Sequence, residues 1–232
     1  MKSFKLIVSV ALVLASAIGC VRSESLGKPA PFEQRSVDAC LAVVVDLSGS
    51  FHGSLDERAY ALFNDLSQQF FADTMGTESR FVLAQLSASD DIVLFEGTPR
   101  DLRQRFRSPG ELSEFLKSNA DPAGSQVYES VRRTIDYVSA INGVDEQTRI
   151  MTVIFSDMRE SESDQQLRRE QGYQMLDALR RYRETGGGLA MYFVGKEQTS
   201  VWDRILKEAG FERGHYIIEN ELTESPQLPR MD

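Results

Sequence analysis

The sequence predicts an α/β protein: a doubly wound, mostly parallel sheet with helices on both faces and one short antiparallel edge strand. Three observations carry this. Short apolar runs at 41–47, 150–155 and 189–194 read LAVVVDL, IMTVIF and LAMYFV, continuous enough to be strands buried on both sides. Segments with apolar residues every three or four positions lie between them. Strand and helix therefore alternate almost throughout, which places crossover helices over a parallel sheet.

The chain has 232 residues, 41% of them hydrophobic and 26% charged, ordinary values for a globular protein. Its formal net charge of −9, with no Lys/Arg-rich run, argues against nonspecific nucleic-acid binding. The N-terminus has its own plan. Lys2 and Lys5 precede the apolar stretch Leu6 to Ile18, which is short for a membrane span, and Gly19-Cys20 follows. Residues 1–19 read as a secretory signal. The run Ser16-Ala17-Ile18-Gly19-Cys20 resembles a bacterial lipobox, which implies lipid on Cys20; a plain cleaved signal peptide is the alternative. Residues 20–37, rich in Ser, Pro, Gly and charge, are expected to tether this anchor to a domain over 38–218. Val21 after the cysteine is not the Asp associated with inner-membrane retention. The resemblance thus implies a cell-envelope lipoprotein, in the outer membrane facing the periplasm, with a soluble secreted or periplasmic protein as the alternative. Cys40 adjoins the first apolar run and is expected to pack as a small hydrophobe. There is no disulfide framework and no zinc-ligand spacing.

After the first strand, Ser54-Leu55-Asp56-Glu57 has the form of a capping box, and Leu55, Ala59, Leu62, Phe63, Leu66 and Phe70 mark a helix ending near Gly76. Phe81–Leu86 and Ile92–Phe95 are expected to pair as a hairpin through a Ser-Ala-Ser-Asp-Asp turn, the second strand on the sheet edge. Arg100–Phe106 and Glu111–Ser118 read as short helices broken by Pro109-Gly110. Past the loop 119–124, Val127, Val131, Ile135 and Val138 form a helical stripe closed by Gly143. Asp164–Glu184 reads as a helix burying Leu167, Met175, Leu176 and Leu179, and Gly186-Gly187-Gly188 breaks it. Trp202, Ile205, Leu206 and Ala209 mark a further helix and His215–Ile218 a last strand. The tail, 219–232, shows no core pattern.

Oxygen-bearing side chains gather where the strands leave the core, the place where open α/β sheets bind ligands. Asp46, Ser48 and Ser50 end the first strand. Ser125 stands between a loop and a helix. Asp157 follows the strand at 150–155. Hard oxygen donors of this kind suit Mg²⁺ or Mn²⁺ better than Zn²⁺.

This ordered set resembles the von Willebrand factor A domain and its metal-ion-dependent adhesion site. That family carries Asp-x-Ser-x-Ser after the first strand, a Thr in a glycine-bearing loop and an Asp after the fourth strand, often as Thr-Asp-Gly. Asp46, Ser48 and Ser50 match the first motif unchanged. Ala123-Gly124-Ser125 stands for the loop, with Ser for Thr, and Ser156-Asp157-Met158 stands for Thr-Asp-Gly, with Met for Gly. Arg159 adds a positive charge beside the last Asp. The resemblance spans residues 38–218. It implies a non-enzymatic binding protein whose divalent cation, Mg²⁺ or Mn²⁺, keeps an open position for an Asp or Glu of a protein partner.

Each residue also has a purely structural reading. Ser48 and Ser50 can serve turn amides, and Ser125 and Asp157 can cap the helices that follow them. Two other functions stay open. One is a domain of the same fold that binds a partner without metal. The other is a hydrolase using Ser48 and His52, although the chain has no G-x-S-x-G elbow, no Walker A loop and no G-x-G-x-x-G fingerprint.

Overall fold

The computed structural model describes residues 36–47, 57–72, 78–86, 91–120, 125–221 and 226–230. A six-stranded sheet runs β3-β2-β1-β4-β5-β6. Its strands are β1 (Ala39–Asp46), β2 (Ser79–Leu86), β3 (Val93–Gly97), β4 (Arg149–Phe155), β5 (Gly188–Tyr192) and β6 (Tyr216–Glu219). All neighbours pair in parallel except β2 and β3, which form the antiparallel edge that the hairpin reading places there. The helices are α1 (Glu57–Phe71), α2 (Pro99–Arg105), α3 (Pro109–Ser118), α4 (Val127–Ser139), α5 (Gln165–Glu184) and α6 (Lys196–Glu208).

Central strand β1 is buried at every position, as its unbroken apolar run requires. Its alternate residues feed two cores. Cys40, Ala42 and Val44 face the core built with α4, α5 and α6. Ala39, Leu41, Val43 and Val45 face the core built with α1 and α3. Cys40 is fully buried and unbridged, and desolvation pushes its thiol from 9.0 to about 12, so it packs as a neutral small hydrophobe. Trp202 is likewise fully buried, and burial of a side chain of that size is worth roughly 2–3 kcal/mol.

Several boundaries differ from the sequence reading, each for a local reason. α1 ends at Phe71, short of Gly76; its buried face includes Leu62, Leu66 and Phe70, whereas the start of the capping box at Ser54 lies outside the described residues. Pro109-Gly110 opens α3 and does not break a helix. Proline fits the first turn, and the Ser108 hydroxyl accepts the amide of Glu111. Leu167 lies on the outer face of α5, 41% exposed, while Gln171, Ala178 and Tyr182 join Met175, Leu176 and Leu179 on the inner one. β5 stops at Tyr192 because Phe193 turns left-handed, with φ of 67°. β6 begins one residue after His215, whose carbonyl accepts the Leu189 amide.

The tail is also not free of the core. Pro226 and Pro229 are buried, Leu228 packs on the α1 side, the Tyr192 hydroxyl donates to the Gln227 carbonyl at 2.6 Å, and the Arg230 amide bonds Gly214. Two prolines flanking Leu228 show no periodicity, so only the tertiary contacts show that this segment docks.

Candidate functional site at the sheet mouth

Asp46 ends β1 on the face that Ala42 and Val44 share, toward α4. Ser156 lies one residue beyond the last β1–β4 pair, Val45–Phe155, and continues the same face of the neighbouring strand. Strand register therefore brings the two together: the Ser156 hydroxyl donates to Asp46 Oδ2 at 2.7 Å. Ser125, just ahead of α4, donates its hydroxyl to Asp46 Oδ1, also at 2.7 Å. Asp46 and Ser156 are 1% and 0% exposed, so this carboxylate is held out of water and both its oxygens are hydrogen-bonded.

Neither Ser125 nor Asp157 caps the helix that follows it. The N-cap of α4 is Gln126, with no side-chain capping bond, and the Ser125 hydroxyl faces Asp46. The Tyr128 amide in the first turn of α4 is instead met by Glu160 Oε2 at 2.8 Å, from the loop after β4. Glu160 Oε1 accepts the Glu162 amide, and Ser161 bonds the Ser125 carbonyl through its amide and its hydroxyl, at 3.2 and 2.8 Å. These ties fix the Ser125 backbone against the β4–α5 loop. The N-cap of α5 is Asp164, seven positions past Asp157. Asp157 is half-buried, its carboxylate accepts the Arg159 amide at 3.0 Å, and its carbonyl accepts the amide of Gly195.

Met158 stands where the adhesion-site family often has Gly. Its φ is 59°, the left-handed region, where a side chain costs on the order of 1–2 kcal/mol. Its surroundings offset this. The Met158 amide donates to Ser156 Oγ at 2.8 Å, its carbonyl accepts the Trp202 indole N–H at 3.4 Å, and its side chain is 1% exposed in the core. Arg159, expected to add charge beside Asp157, pairs with Glu197 of α6, and this partner holds the Glu197 carboxyl below its ordinary range.

Of the five predicted metal residues, Asp46 and Ser125 are in direct contact and Asp157 follows Ser156 in the adjacent turn. Ser48, Ser50 and His52 lie outside the described residues, as does Cys20. Among the described residues no three His, Cys, Asp or Glu side chains cluster as a metal site; the oxygens brought together there are the Asp46 carboxylate and the Ser125 and Ser156 hydroxyls. That donor set fits a hard divalent ion such as Mg²⁺ or Mn²⁺, which accepts a partly aqueous oxygen shell. Asp46, Ser125 and Asp157, with Ser48 and Ser50, would hold it, and its charge would supply an electrophilic position for an anionic group. Sequence reasoning missed Ser156 and Glu160. The signal for Ser156 was its parity with the inward face of β4; nothing local marked Glu160.

No family model and no curated protein matches this sequence. Its similarity is to solved structures. The pilus adhesin SpaC of Lactobacillus rhamnosus GG, in its open conformation, aligns at 10% identity and a TM-score of 0.53, over 80% of this chain and 28% of the adhesin. The PilB minor pilin of Streptococcus sanguinis aligns at 9% identity and a TM-score of 0.52, over 80% of this chain and 58% of the pilin. A manganese-loaded TRAP protein of Plasmodium vivax aligns at 14% identity and a TM-score of 0.50, over 81% of this chain and 70% of that one. The chain spans less than two thirds of the length of either pilus protein. At these identities the likeness is one of fold: the doubly wound, von Willebrand factor A-like sheet with one antiparallel edge strand. Among the described residues no helix is long and apolar enough to cross a membrane.

Proposed function

We propose that this chain is a non-enzymatic, extracytoplasmic binding protein, anchored by lipid on Cys20, that grips an Asp or Glu of a protein partner through a divalent cation. The observation that carries the reading is the buried Asp46 carboxylate at the end of β1, joined to Ser125 from one loop and neighboured by Asp157 from another. The adhesin and pilin character of the fold's neighbours supports a binding role, and the manganese in one of them supports the use of a divalent cation. Titration calorimetry of Mn²⁺ or Mg²⁺ into the protein is expected to give a saturable signal that Asp46→Ala abolishes. Absence of that signal in both proteins would remove the cation from the reading.

A second reading, the same fold binding a partner without metal, draws on a specific observation: both Asp46 oxygens already accept serine hydroxyls. The calorimetry separates the two. The anchor has its own test. Cys20→Ala is expected to move the protein from the membrane fraction to the soluble one, and an unchanged membrane fraction would rule out lipidation as the anchor.

A further inference from the structure

A second surface lies between α5 and α6, bordered by Tyr128 of α4. A groove of about 560 Å³ runs between these helices, with Tyr128, Gly172, Met175 and Leu176 in its lining. Its floor is firm: Met175 and Leu176 are buried, and the Tyr128 ring packs edge-on to the fully buried Trp202 at 6.0 Å. Tyr173, in the wall, is 64% exposed; with Leu167 it makes up the exposed large hydrophobics among the described residues.

Arg168 and Arg169 from α5 and Arg204 from α6 also line the groove. All three are exposed, and none forms an ion pair with a described residue. Some other cations of these helices are paired. Arg180 pairs with Asp177 and Glu208, Arg181 with Asp136, and Lys207 with Asp203. Glu208, the acidic residue of the lining, thus already has a cation. In a chain with 35 acidic and 26 basic residues, these three arginines gather on one groove without a described carboxylate partner. Guanidinium groups recognise carboxylates bidentately, and Arg and Tyr are the residue types that concentrate binding energy at interfaces.

We propose that the α5–α6 groove docks an acidic peptide segment of a partner protein, its carboxylates on Arg168, Arg169 and Arg204 and an apolar side chain against Tyr173. A concave groove with an aromatic wall suits an extended or helical segment better than a flat anionic bilayer.

The test is fluorescence anisotropy of the full chain with a fluorescein-labelled peptide, Glu-Glu-Leu-Glu-Glu-Phe-Glu-Glu, in EDTA. Chelation removes any contribution of the cation site, so the result stands apart from the function proposed above. Saturable binding is expected, weakened at least ~10-fold by the double variant R168E/R204E, as for loss of interface arginines. Tyr173→Ala is expected to weaken it less, and a Gln-for-Glu peptide not to bind. Unchanged thermal melts of these surface variants confirm that they fold. No binding by the unaltered protein at millimolar concentration overturns the proposal. So does equal binding by R168E/R204E, or capture of phosphatidylglycerol vesicles in place of the peptide.

Discussion

Ser156→Ala is expected to lower the unfolding free energy by about 3 kcal/mol, a large effect for loss of one oxygen. The hydroxyl is fully buried and serves two groups at once. It donates to Asp46 Oδ2 at 2.7 Å and accepts the Met158 amide at 2.8 Å. Hydrogen bonds to a charged group contribute about 1.5–3 kcal/mol, and an amide left without a partner costs roughly 1–3 kcal/mol more. The Met158 bond also steadies a left-handed residue. Urea unfolding followed by circular dichroism measures this directly. A loss below about 1 kcal/mol would mean that water replaces both bonds and that the carboxylate is less enclosed than its 1% exposure indicates. Ser125→Ala removes one bond to the same carboxylate and serves as the smaller reference within the same site.

Gly187→Ala is expected to be comparably disruptive for a steric reason. A β-carbon at residue 187 would lie 2.4–2.6 Å from three atoms of the Tyr182 ring. That ring cannot easily withdraw. It is fully buried, and its hydroxyl bonds the Thr152 hydroxyl at 2.9 Å and the Gly188 carbonyl at 3.0 Å. Overpacking of this kind costs about 3 kcal/mol. In a protein of this size that lowers Tm by roughly 6–12 °C. Gly186→Ala meets no neighbouring atom but sits at φ of 84°, so its penalty is backbone strain alone. Scanning calorimetry of the two variants separates the causes. Equal, small shifts would show that the Tyr182 ring moves freely.

The glycines at 186–188 show how far sequence reasoning reaches. Their place after a long polar helix and before LAMYFV marks them as a connection. Only the packing shows that they differ: Gly186 supplies the left-handed turn, Gly187 makes room for Tyr182, and Gly188 starts β5. The same holds for Met158. In the sequence it is a departure from the Gly of a familiar motif. In the structure it is a left-handed residue stabilised by burial of its side chain, which no local pattern announces.

By itself the sequence determined the sheet class, the antiparallel edge, the order of elements and the strand end that presents Asp46. Each rests on period and apolar run length, local quantities that a linear chain displays. The tertiary structure decided which hydroxyls reach Asp46, that Ser125 faces a carboxylate and not a helix amide, that Glu160 braces α4 from another loop, and that the tail docks on the α1 side. Those contacts join residues tens of positions apart or more, as with the separation of 110 between Asp46 and Ser156. Strand register and side-chain parity set them, and both exist only once the strands are side by side.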